Sequence, residues 1–176
     1  MKRRSTILTA LAAGISLAPI ATVSVAHAAN QPSPAEMRAS FMTLFPAVVR
    51  AMRPCIVAKT AMDKDVPAGA HGDRSRQRLQ RDAMRTMVTC TQASNSLKTI
   101  TIPASLQNAP HVRLFVQDAQ RYAAAAADLG TVIERALQGD PPRGLYQRIN
   151  ADLAKIAAAG TDLDHQLRVI AHAWFS

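Results

Sequence analysis

Apolar residues recur every three or four positions along most of this chain, and breaks in that rhythm divide it into four helical segments. In the first, Met37, Phe41, Leu44/Phe45, Val48, Met52 and Cys55/Ile56 fall on one face. Ser33 suits the N-cap, Pro34 the first helical position and Glu36 the first turn. Pro46 and Pro54 interrupt the run, and each removes a backbone donor. The pattern predicts a helix over about 34–62 that is kinked at the prolines or broken into two.

Residues 63–72 carry Pro67, Gly69 and Gly72 and read as a loop. A second helix starts near Asp73, with Leu79, Ala83, Met87, Cys90 and Leu97 inward. Thr99-Ile100-Thr101-Ile102-Pro103 is β-branched and extended in character, but it has no partner strand, so it reads as a linker. The third helix spans about Pro110 to Gln138, with Phe115, Tyr122, Ala126, Leu129, Ile133 and Leu137 as its stripe. Ala123 to Ala127 offers little bulk and invites a close neighbour, and Gly139 followed by Asp140-Pro141-Pro142 stops the helix. In the fourth, Leu145, Ile149, Leu153, Ile156, Gly160, Leu163, Leu167, Ile170 and Trp174 step by threes and fours, close to a heptad seam. The phase survives Gly160, which predicts one continuous helix with a close contact there. Four such segments with short connections predict an all-α protein, an antiparallel four-helix bundle.

The N-terminal region follows a different logic. Lys2, Arg3 and Arg4 precede an apolar stretch from Ile7 to Val25, and Ala26-His27-Ala28 supplies the small residues a signal peptidase accepts. Residues 1–28 are therefore expected to be a cleaved secretory signal, 29–34 a flexible leader and 35–176 one helical domain. Gly14, Ser16 and Pro19 break the apolar stretch and favour cleavage over anchoring. No later uninterrupted apolar run approaches the ~20 residues of a membrane span. The expected location is the periplasm or the exterior. Three positive charges leave with the signal, which takes the formal charge from +9 to +6. A basic exported protein points to an anionic envelope component or a protein partner before nucleic acid.

Cys55 and Cys90 are the only cysteines, and in an oxidising compartment they read as one disulfide. A 35-residue loop closed this way contributes about 4 kcal/mol in the chain-entropy model. A symmetric hairpin would not align them, because Cys55 stands closer to the first turn than Cys90 does, by roughly 15 Å along the axis. Either the loop climbs back along the helices or the break at Pro54 shifts the register.

Candidate chemistry is sparse. Arg74, Arg78, Arg81 and Arg85 form one stripe on the second helix, opposite its apolar face, and forked guanidinium groups suit phosphate or carboxylate partners. Met37 and Met52 on the first helix and His165 and His172 on the last offer a methionine–histidine pair. In layout and compartment this is similar to the soluble b-type cytochromes, which implies a haem held inside the bundle. The helical spacing turns both histidines away from the seam, so no cofactor is expected. Asp162 with His165, and His71 with Asp73, make only weak metal pairs. The chain has no nucleophile elbow, zinc-protease pair or glycine-rich phosphate loop, and the expectation is a binding role of chaperone, adaptor or inhibitor type. Intact-mass analysis of the exported protein is expected to place the mature N terminus at Ala29, and a mass that retains Met1 to Ala28 would refute the signal assignment.

Overall fold

In the computed structural model, residues 31–66 and 72–175 are described, and every regular element among them is helical. The expected signal segment and its cleavage point lie outside them. Four long helices follow one another: α1 (Pro34–Asp65), α2 (Asp73–Lys98), α3 (Pro110–Leu137) and α4 (Leu145–Phe175). A 3-10 turn at Ala104–Leu106 is the one other regular element among the described residues, and Thr99 to Pro103 lead to it as linker.

The helix ends follow the local chemistry. Ser33 Oγ accepts from the Glu36 amide while the Glu36 carboxylate accepts from the Ser33 amide, a complete capping box. That bond to the Ser33 amide and hydroxyl holds the Glu36 carboxyl below its usual value. Gly139 takes φ +88° just past α3, a conformation that suits glycine in a helix stop.

Helix α1 is one element that passes through both Pro46 and Pro54, not two short helices. A helical proline costs about 3 kcal/mol, but both prolines and the residues four before them, Met42 and Arg50, are exposed. Water can therefore satisfy the carbonyls that lose a partner.

The core gathers Phe41, Leu44, Val48, Met52, Cys55 and Met62 of α1 with the inward faces of α2 and α3 and with Ile156 and Ile170 of α4. Helix α3 is the most buried element. It packs along its length against α2 on one side and α4 on another, and α1 packs mainly against α2. Helices α1 and α4 touch little, chiefly at one end. There Phe41 meets Trp174 edge-on at 5.6 Å and Phe115 at 6.0 Å, while Phe45 stacks on Phe115 at 6.0 Å. Arg38 lies 4.6 Å above the Phe175 ring.

Cys55 and Cys90 lie at disulfide distance, with Sγ atoms 2.10 Å and Cα atoms 4.4 Å apart. The expected register conflict is resolved by an offset. Asp65 lies beside Asp82, and Val66 and Leu79 share a cavity wall. So α1 ends level with residues 79–82, and the first turns of α2 run past it by roughly 10 Å.

Two expectations about close packing are corrected. A Cβ on Gly160 would meet nothing nearer than Tyr122 Cε2 at 4.0 Å, so this glycine marks no close contact. The tight approach is at Gly130, where a Cβ would stand 2.8 Å from both Ala83 O and Met87 N of α2. The inward side of α4 is also turned from the predicted seam. Asp152, Ile156, Ala159, Gln166 and Ile170 are buried, whereas Ile149, Leu163 and Leu167 are only half-buried and Leu153 is exposed. The shift is roughly 50° about the helix axis. The cause is the uneven packing: α4 lies on α3, so its buried line follows α3, and its leucines stand at the edge facing α1.

The two glycines should respond with opposite sign. Gly160→Ala is expected to stabilise the fold by about 0.5–1 kcal/mol, because it removes a helical glycine without a clash. Gly130→Ala is expected to destabilise it by about 1–3 kcal/mol through overpacking against the α2 backbone. Urea denaturation of both variants checks this, and equal shifts would contradict the packing described.

Candidate functional site

Two surfaces stand out once the core is accounted for. The first is the outer face of α2. Arg74, Arg78, Arg81 and Arg85 are all exposed, in one line opposite the buried Leu79, Ala83, Thr86 and Cys90. None of the four guanidinium groups forms a hydrogen bond or close ion pair among the described residues, though Arg81 and Arg85 lie near enough to Asp82 to act on it. Arg76 is separate: it caps α3 by donating to the Leu137 carbonyl at 2.7 Å. Met84 and Val88 add exposed apolar surface next to the stripe.

Asp82 sits between this line and the end of α1. Burial pushes its carboxyl above the usual aspartate range, the adjacent Asp65 pushes the same way, and Arg81 and Arg85 oppose the shift.

The second surface is the groove left between α1 and α4, with α3 as its floor. Phe45, Val48, Val49, Met52, Ile56 and Val57 form one wall, Leu163 and Leu167 the other, and Phe115 and Ala119 the base. Its volume is about 290 Å³, and Arg53 is the single charged residue on its walls. Further along the same seam, Asp63 and Val66 of α1, Ile149 and Leu153 of α4, and Leu129, Ile133 and Leu137 of α3 border a second apolar hollow of about 350 Å³. Between the two lie Tyr122, whose phenol is raised by burial, and the buried Lys59, which donates to Asp63 at 2.6 Å.

Polar groups also cross from α3 to α4. His111 Nδ1 pairs with Gln166 at 2.7 Å, and Arg121 reaches Asp162 of α4 at 3.2 Å while also holding the buried Asp118. The other Asp118 oxygen, Oδ2, is buried with no hydrogen-bond partner among the described residues. On α4 itself, Lys155 donates to the buried Asp152 at 2.9 Å. Asp162 thus pairs with Arg121 across to α3.

The remaining candidates are not assembled into a site. His165 and His172 are exposed, as their spacing predicts. Met52 borders the groove that neither histidine lines, and Met37 packs at the edge of the core. Where α1 and α4 meet, the interior holds the Phe41–Phe45–Phe115–Trp174 cluster. His71 lies outside the described residues. Among the described residues, no three histidine, cysteine, aspartate or glutamate side chains gather to hold a metal.

The sequence reading missed the groove. Its signal was the second apolar line on α1, Met42, Phe45, Val49 and Ile56, beside the core line. By length and composition α1 even passes as a membrane span: an 18-residue window has mean hydropathy 1.4, with only 33% of that window buried. Counting uninterrupted apolar residues overlooked it, because Arg50 and Arg53 lie within.

Comparison with protein-family models, with curated proteins and with solved structures finds no match to this chain.

A carboxyl raised by its fold is protonated more readily in the folded chain, so ionised Asp82 opposes folding at neutral pH. That penalty is absent below the ordinary value of 3.8 and complete above the raised value of Asp82. Asp82→Asn is therefore expected to raise the melting temperature at pH 7 and to leave it nearly unchanged at pH 3. A loss of stability at pH 7 would contradict the pairing with Asp65.

Proposed function

We propose that this is an exported, non-enzymatic binding protein of chaperone, adaptor or inhibitor type, which meets an anionic partner through the arginine face of α2. The observation that carries this reading is the line Arg74, Arg78, Arg81 and Arg85: four exposed guanidinium groups with no ion pair among the described residues. Four like charges on one helix face repel one another, and an external anion relieves that repulsion. Guanidinium forks match phosphate and carboxylate geometry, and the exposed Met84 and Val88 would add apolar contact at the margin.

Export and a periplasmic or secreted location rest on the N-terminal sequence pattern, and the Cys55–Cys90 pair at disulfide distance agrees with an oxidising compartment. In this reading residues 1–28 are removed. The mature helices form an antiparallel four-helix bundle, with α1 bent at Pro46 and Pro54, and the disulfide keeps α1 on α2 so that the arginine face is held rigid. The partner is an anionic envelope component or an acidic protein surface.

Co-sedimentation with vesicles rich in phosphatidylglycerol, and capture of proteins from an envelope extract, test this. Changing Arg74, Arg78, Arg81 and Arg85 together to glutamine is expected to abolish retention in whichever assay the wild type binds, with the melting temperature unchanged. Wild-type binding should fall steeply with added salt. Retention that survives the four substitutions, or no retention in either assay, would refute the arginine face as the binding surface.

A further inference from the structure

We propose that the α1/α4 groove is a site for a free single-chain carboxylate, a fatty acid, whose alkyl chain lies between the two helices and whose carboxylate meets Arg53. This does not depend on the arginine face of α2.

The walls supply the first argument. Val49, Met52 and Ile56 on one side and Leu163 and Leu167 on the other present apolar surface that the core leaves open. Val49 and Ile56 remain 44% and 45% exposed. Such a concave, almost wholly apolar lining with one charged group is the usual make-up of a small-ligand site.

Size and shape supply the second. The hollow holds about 290 Å³, at the small end of ligand pockets, and its α1 wall from Phe45 to Val57 runs for roughly 18 Å. A single file of methylenes suits a hollow this small and this long. A phospholipid, with two chains, would leave one chain in water.

Charge supplies the third. Arg53 is the single charged residue on the walls, and it forms no ion pair among the described residues. An occupant with one apolar chain and one negative end complements both features. A second copy of this chain meets only one of them: the same groove offers apolar surface but no negative group for Arg53. The seam's other hollow, at the far end of α1, carries the acidic Asp63 in place of an arginine, so the carboxylate is assigned to the Arg53 end.

Calorimetric titration of the exported protein with dodecanoate, below its micelle concentration, tests the proposal. Saturable one-to-one binding is expected. Arg53→Gln should weaken dodecanoate about tenfold, the scale of a lost charge-assisted hydrogen bond, and leave dodecanol binding unchanged. Ile56→Asp changes an exposed position, so it should keep the melting temperature and lose both ligands. The proposal is overturned if dodecanoate does not saturate, if neither substitution weakens it, or if dodecyltrimethylammonium binds equally well. Concentration-dependent dimerisation that Ile56→Asp abolishes would assign the groove to a second copy instead. Binding to phospholipid vesicles without binding to dodecanoate would also overturn it.

Discussion

The close approach of α2 and α3 at Gly130 is the contact on which the rest of the structure is arranged. With no side chain at that position, the backbone of α2 around Ala83 and Met87 lies against α3. Alanines at 123, 126 and 127 continue that slender face and Ala125 turns toward α4, and all four are buried. Helix α3 can therefore be covered on two sides at once, by α2 and by α4. Interior packing is dense enough that each of these approaches fixes the next helix in place.

Helix α1 is held in another way. Cys55 fastens it to α2 part way along, and Phe41 and Phe45 fasten it to α3 and α4 near its start. Between and beyond these two fixings it makes little contact with α4. The leucines of α4 that would fill a closed interior border a hollow instead. The groove is thus a direct result of how α3 packs: α4 turns its buried line toward the slender surface of α3 and away from α1.

Much of this architecture was legible from residues alone. The start at Pro34 follows from Ser33, the break before Asp73 from the glycines and proline of the 63–72 loop, and the end of α3 from Gly139 and the Asp140-Pro141-Pro142 turn, all of which act locally. The outward histidines were legible too, because helical spacing sets them against the leucine ridge. Two features were not. Periodicity shows which residues of α4 share a stripe, but it does not show which neighbour covers that stripe, so the turn toward Asp152, Ala159 and Gln166 could not be read. The same reason hid Gly130 and promoted Gly160: a glycine inside a seam looks identical whether another backbone or open space faces it. The Arg121–Asp162 bridge and the His111–Gln166 bond depend on the relative height of α3 and α4, which a sequence does not print. The four arginines of α2 were legible as a stripe, and Asp82, beside Arg81 and Arg85, offsets part of their charge.

Spatial order here follows chain order, since each helix lies chiefly against its predecessor and its successor. Chains whose contacts are this local spend little entropy on closing long loops, and such topologies reach the native state quickly. The Cys55–Cys90 link adds a bias to that search. Once oxidised, the first two helices stay tethered even in the denatured chain, while nothing covalent beyond the backbone joins the last two to them. For the oxidised chain, the tether thus narrows the search of the first two helices alone and leaves that of the last two to the backbone.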